Sequence, residues 1–196
     1  MFMNDLHNLS DFEVIRLCIE QDRDAFSEIV ARYKNLVYSI VLRMVDNTDD
    51  ANDMAQEVFI KAYKNLARYH PEFKFSTWIM RIATNHVIDF RRKRRLETVS
   101  MDENPNETLT LPSQSNSPEG DLIQKEDSQQ IKTLLNELPD IYKVPIVLFH
   151  QQGMSYQEIS EVIQEPLSKV KNRIFRGRRL LKEGLSKQGG GDYAFS

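Results

Sequence analysis

From residue 10 onward apolar positions recur at the three-and-four spacing of amphipathic helices, and no stretch keeps the strict alternation of a strand. Ser10-x-x-Glu13 is a capping box opening a first helix whose apolar positions are Phe12, Val14, Ile15, Leu17 and Ile19. Gln21 to Asp24 breaks it, and a longer helix follows from about Ala25 to Val45. Its core face is Phe26, Ile29, Val30, Tyr33, Val37, Ile40, Val41 and Met44. Asp46 to Asp53 reads as a polar turn feeding a third helix from Asp53 to Leu66. Met54, Ala55, Val58, Phe59, Ala62, Tyr63 and Leu66 line its inner side. Asp53, Gln56, Glu57, Ile60, Lys61 and Lys64 line the outer side, with Glu57 and Lys61 spaced for an i, i+4 ion pair. Tyr69-His70-Pro71 ends this helix, since the residue before a proline is pushed away from helical angles.

A fourth helix is expected from Thr77 to Arg95, after the candidate caps Ser76 and Thr77. Trp78, Ile79, Ile82, Ala83, Val87 and Phe90 form its stripe, and Arg81, Asn85, Arg92 and Arg95 lie on the opposite face with Ile88. It closes on the consecutive cations Arg91 to Arg95, which suit the negative end of a helix dipole. Their number also suits a polyanion partner.

The pattern then fails. From Glu97 to about Asp127 the chain is rich in Asn, Glu, Thr, Ser and Pro, the composition of a flexible anionic linker. Helical spacing resumes near residue 128. Leu138-Pro139 is a helix start, with proline in the first position, and Pro145 further in should kink or break that helix. Ser155-x-x-Glu158 is a second capping box, with Met154 and Ile159 at staple positions and Ile159, Val162 and Ile163 inward. After the turn Gln164-Glu165-Pro166, a last helix turns Val170, Ile174 and Leu181 inward. Ser168, Lys169, Lys171, Asn172, Arg173, Phe175, Arg176 and Arg179 are its candidate outward residues. A capped short helix, a tight turn and a basic helix make a helix-turn-helix, whose second helix enters the major groove. Ser168 to Arg173 should reach base edges, while Arg176, Arg178, Arg179 and Lys182 suit phosphates.

The fold class expected is therefore all-α: two small helical domains over 1–95 and 128–186, an acidic linker over 96–127 and a disordered tail over 187–196. Net charge changes the picture only when divided. The total of −3 is the sum of 0 over residues 1–100, −6 over 101–127 and +3 over 128–196, so the acidity sits in the linker. The single cysteine, Cys18, excludes an internal disulfide and falls at a helix position suited to a buried thiol. No apolar run is long enough for a bilayer and the first residues carry no signal pattern, so a cytoplasmic protein without membrane insertion is expected.

Two stretches carry a resemblance. DANDMAQEVFIKAY followed by KFSTWIMRIATNHVIDFRRKRR resembles the second conserved region of bacterial sigma factors of the extracytoplasmic-function (ECF) group. SYQEISEVIQEPLSKVKNRIFRGRR is similar to their fourth conserved region. There the family usually has a glycine and an aliphatic residue where this chain has Gln164 and Glu165, and Gly-Thr where it has Ser168 and Lys169. The resemblance covers roughly residues 10–95 and 128–183.

It implies that Asp53, Gln56, Glu57, Ile60 and Lys61 face core RNA polymerase. It implies that the segment from Phe73 through Lys74, Phe75, Ser76, Trp78, Arg81 and Asn85 opens the minus-ten element of promoter DNA, double-stranded and then melted. Arg92 and Arg95 lie further along the same polar face. Phe75 and Trp78, with the neighbouring Ile82, fall on the apolar stripe and read as core, whereas Arg81 and Asn85 can bond a flipped base. The last helix would read the minus-thirty-five element. The linker would thread the polymerase channel, or serve only as a tether. An anti-sigma protein is a further implied partner, and a stress or envelope-response regulon the implied role.

A free-standing helix-turn-helix regulator would explain the last part but leave residues 50–95 without a role. No enzyme is expected. The histidines His7, His70, His86 and His150 are scattered, and no phosphate loop, nucleophile elbow, cofactor site or metal site is visible.

Overall fold

The computed structural model describes residues 6–20, 23–45, 47–101 and 122–187. Among them every regular element is helical. Helix α1 (Asp11–Ile19) starts at the expected capping box, with Ser10 Oγ accepting from Glu13 N–H and the Glu13 carboxylate accepting from Ser10 N–H. Val14, Ile15 and Cys18 are its buried positions, whereas Phe12 and Ile19 are exposed. Helix α2 (Arg23–Val45) buries Ile29, Val37, Ile40, Val41 and Met44. Helix α3 (Thr48–Asn65) begins earlier than the sequence suggests. The polar run is mostly its first turn: Asn47 Oδ1 accepts from the N–H groups of Asp49 and Asp50, whose carboxylates meet the positive helix end. A short 3-10 turn (Leu66–Arg68) follows.

Helix α4 (Phe75–Met101) starts two residues before Thr77. Ser76 and Thr77 therefore stand in its first turn and do not cap it, and Thr77 is buried. It also runs past Arg95, and helix α5 (Leu122–Glu137) begins before residue 128, so both ends of the expected linker are helical. The middle of that linker and the tail after Lys187 lie outside the described residues.

Helix α6 (Asp140–His150) takes Pro139 as its N-cap and keeps Pro145 inside it. Pro145 has no N–H to give to the Ile141 carbonyl, and the helix nevertheless continues past it to His150. Helix α7 (Tyr156–Ile163) starts at the second capping box and ends on Gln164, whose φ of 54° is left-handed. Helix α8 (Leu167–Lys187) buries Val170, Ile174, Gly177, Leu181 and Leu185. At Gly177 a Cβ would stand 2.3 Å from Ile146 Cδ1, so α6 and α8 meet closely because that side chain is missing.

Helices α1 to α4 pack as one helical unit and α5 to α8 as a second that contains the helix-turn-helix. The two also touch, α7 lying on α4 and α6 on α2. Besides apolar packing, the junction carries polar contacts. Lys143, fully buried, donates through Nζ to Met44 O at 3.2 Å and Asn136 Oδ1 at 2.6 Å. Arg91 Nη1 donates to the same Met44 carbonyl at 3.0 Å, and Ser39 Oγ and the Gln152 side-chain amide bond each other. Two cations on a last-turn carbonyl of α2 satisfy groups that the helix leaves without intrahelical partners.

Candidate polymerase and nucleic-acid interfaces

Three surfaces gather the residues singled out from the sequence. The first is the outer face of α3, where Asp53, Gln56, Glu57, Ile60 and Lys61 are all exposed. Ile60 is 53% exposed and Tyr63, assigned to the core from its spacing, is 47% exposed. Tyr63 stands edge-on to Phe26, so an aromatic held by α2 extends the apolar part of this face. Sequence reasoning missed it because an inward-spaced tyrosine reads as core.

The Glu57–Lys61 ion pair does not form. His86 of α4 stands between them, Lys61 Nζ donating to Nδ1 at 2.5 Å and Nε2 lying 2.9 Å from Glu57 Oε2 outside hydrogen-bond geometry. Burial, then the Lys61 ammonium, push the His86 pKa below its ordinary value against the pull of Glu57. A neutral ring accepting at Nδ1 carries its proton at Nε2, toward the carboxylate.

The second surface is the start of α4. Phe75 is buried among Tyr33, Tyr69 and Trp78, while Trp78 and Ile82 are half-buried. Phe73 and Lys74 are exposed, Ser76 and Arg81 half-buried, and Asn85, Arg92 and Arg95 exposed. Arg92 and Arg95 stand ~17 Å or more along the helix from Arg81. The cations are not equivalent: Arg91 sits 3.2 Å from Asp140, Arg92 3.2 Å from Asp89, and Arg94 3.0 Å from Asp50. Part of the basic run thus serves folding.

Helix α7 lies against part of this surface. Lys74 Nζ donates to Glu158 Oε1 at 2.8 Å, and Phe73, Thr77, Trp78 and Arg81 share a cavity with Ser160, Glu161 and Gln164. At about 240 Å³ the cavity is smaller than ordinary small-molecule sites. The Lys74 ammonium, then the Ser155 N–H and hydroxyl, hold the Glu158 carboxyl at a pKa of about 2.

The third surface is α8. Ser168, Lys169, Lys171, Asn172, Phe175, Arg176 and Arg179 are exposed on the side away from Val170, Ile174 and Leu181, and Phe175 is 67% exposed. Arg173 differs: it is half-buried against Glu165. Ser168, Lys169, Asn172, Arg173 and Arg176 share a depression with Ile141 and Tyr142 of α6, neighbours that helical spacing in α8 alone does not reveal. Arg178, expected at a phosphate, donates to His150 Nε2 at 2.9 Å and lies over the Phe149 ring. No group of residues suited to hold a metal ion occurs among the described residues, nor is any helix among them long and apolar enough to cross a membrane.

These surfaces occupy the two parts of the chain that match known families. Residues 29–97 match the family model described as Sigma-70 region 2, and residues 128–181 match Sigma-70, region 4. The ECF RNA polymerase sigma factor SigW of Bacillus subtilis (strain 168) is 40% identical over 169 residues, covering 84% of this chain and 90% of that protein. The ECF RNA polymerase sigma-E factor of Escherichia coli (strain K12) is 30% identical over 178 residues, 88% of this chain and 93% of that one. The fold is similar to the sigma factor RpoE in its co-crystal structure with the anti-sigma factor NepR from Bartonella quintana. That likeness has a TM-score of 0.63 at 23% identity, over 82% of this chain and 96% of that chain. It is also similar to CnrH in complex with the cytosolic domain of CnrY, with a TM-score of 0.64 at 23% identity over 90% and 97%. A region 2 unit and a region 4 unit in one all-helical chain, with relatives matched over most of their length, place it plainly: the chain belongs to the ECF family of bacterial RNA polymerase sigma factors.

Proposed function

We propose that the chain binds core RNA polymerase through the α3 face of Asp53, Gln56, Glu57, Ile60 and Lys61. On this reading residues 1–95 form the domain that opens the minus-ten element, with Phe73, Lys74, Ser76, Arg81, Asn85, Arg92 and Arg95 toward DNA. Residues 128–186 form the domain that reads the minus-thirty-five element through the outward residues of α8, and 96–127 link the two. The reaction chemistry belongs to the polymerase; sigma factors are initiation factors and not enzymes. The observation that carries this reading is the pairing of an exposed carboxylate, amide and isoleucine face on α3 with an exposed cationic face on α8. They lie in the parts that match regions 2 and 4.

The physics supports a division of labour. An exposed isoleucine ringed by polar groups suits a protein surface, where apolar burial gives affinity and the charges set orientation. Cations on α8 and α4 suit phosphates, whose contacts are salt-dependent. Arg81 and Asn85 supply donors and an acceptor for the edge of an unstacked base. A neighbour solved with an anti-sigma factor supports an anti-sigma partner, and the reading is completed by a cytoplasmic setting and a stress or envelope-response regulon. The test is capture of purified core polymerase by the chain and by Glu57→Lys. Capture by the first and loss in the second is the expected result. Sequence-specific DNA binding without polymerase capture would replace this reading with a free-standing regulator.

A further inference from the structure

Glu165, one of the residues at which the helix-turn-helix departs from the family pattern, is held there by contacts of both its backbone and its side chain. Its backbone is pinned at both ends: Glu165 N–H donates to Ser160 O at 3.2 Å, and Ser160 Oγ donates to Glu165 O at 2.6 Å. Its carboxylate is used at both oxygens. Arg173 Nη2 donates to Oε1 at 2.8 Å, and Lys169 Nζ lies 3.0 Å from Oε2. Residues 165, 169 and 173 follow one another at the spacing of successive helical turns, so one anion at the head of α8 grips two cations along it. The grip is partly sheltered, with Glu165 at 25% and Arg173 at 26% side-chain exposure, while Lys169 reaches out at 62%. The two cations together lower the Glu165 pKa, the Lys169 contact being the larger cause.

We propose that Glu165 is a positioning residue for the minus-thirty-five element, one that sets base preference by fixing Arg173 and Lys169. The inference rests on the placement of α8 at that element. A free arginine or lysine has many rotamers and finds phosphates on any sequence. A guanidinium held along one edge presents its remaining N–H groups in one direction, the requirement for a paired contact to the O6 and N7 acceptors of guanine. The carboxylate also removes one positive charge from the reading face, which lowers attraction to DNA in general. Glu165 thus raises discrimination while weakening indiscriminate binding. The family glycine-aliphatic pair at this turn has no carboxylate to do this.

The experiment uses holoenzyme assembled from core polymerase and the full chain, carrying wild type, Glu165→Gln or Arg173→Ala. Each selects from a pool of promoter fragments with a fixed downstream box and a randomised upstream box. The expected result is that Glu165→Gln relaxes preference about fivefold or more at the base pair that Arg173→Ala also relaxes. Binding of unrelated duplex DNA should tighten, with a log–log salt slope steeper by about 0.9. A uniform loss across all boxes with an unchanged preference profile would reduce Glu165 to a fold-supporting residue and overturn the proposal. Should Glu165→Gln fail to fold, Glu165→Asp, which keeps the charge but falls short of Arg173, gives the same preference readout with the salt slope unchanged. A profile untouched by Arg173→Ala would remove Arg173 from the base-reading set and overturn the proposal, whereas a wild-type holoenzyme with no preference in the upstream box would overturn the placement of α8 itself.

Discussion

Gln164 stands at the left-handed end of α7, where a Cβ crowds the following carbonyl and glycine is the unstrained residue. Replacing it with glycine removes roughly 1–2 kcal/mol of local strain and adds up to about 1 kcal/mol of chain entropy to the unfolded state. Gln164→Gly should therefore stabilise by about 0.5–1 kcal/mol, read as a higher urea midpoint at unchanged slope. Titration works at the same scale. His86 and His150 have pKa values below the 6.5 of a free histidine, both chiefly through burial. Above 6.5 both states are neutral and neither residue affects stability. As pH falls through 6.5 the unfolded chain takes up the protons first, so stability declines. Glu158 adds a second window, since its carboxyl stays ionised from the ordinary 4.5 down to about 2 in the folded chain. Stability present above 4.5 is lost as pH falls toward 2. Unfolding measured from pH 7 to 4 should show the first decline, and His86→Gln should flatten part of it.

Single helices carry most of what could be read from the chain alone. Both capping boxes form as expected because Ser10–Glu13 and Ser155–Glu158 need only local geometry. Ser155→Ala should lower stability by about 1 kcal/mol and weaken the Lys74 contact as well, because the serine orients the Glu158 carboxylate. That is read by thermal unfolding beside Ser10→Ala, where the cap has no partner unit. The stripes of α2, α3 and α8 were legible for the same reason: Val41, Val58 and Ile174 recur at a spacing that only one helix face satisfies. Contacts between helices were not legible. Nothing in the spacing of Glu57, Lys61 and His86 says that a ring from α4 replaces an ion pair within α3. Nor does spacing reveal Tyr63 outward beside Phe26, or Arg91 taken by Met44 and Asp140, since each is fixed by a neighbour distant in sequence. The start of α3 was displaced because its polar first turn reads as a loop.

At the scale of the whole molecule, the arrangement in which α7 lies on the start of α4 bears on the order of events. Phe73, Lys74 and Arg81 face Glu158, Ser160 and Glu161. Phe73 and Lys74 stay exposed there, but the Lys74 ammonium must leave Glu158, and the half-buried Arg81 must leave this cavity, to bond a melted strand. Fluorescent labels on the two units should therefore report a greater separation in the promoter complex than in the free chain, and an unchanged separation would remove Lys74 and Arg81 from the DNA-opening set.

The Ser39–Gln152 hydrogen bond across the junction then acquires a thermodynamic meaning. Where only a fraction of molecules has its two units apart, the measured dissociation constant for promoter DNA is the intrinsic one divided by that fraction. Deleting a contact that touches neither DNA nor polymerase enlarges the fraction. Gln152→Ala, removing one bond of about 0.5–1.5 kcal/mol, should tighten apparent promoter binding about twofold to tenfold while lowering folding stability. Held-together units act as a competitor already present on the same chain, and its effective concentration is written into the contacts between them.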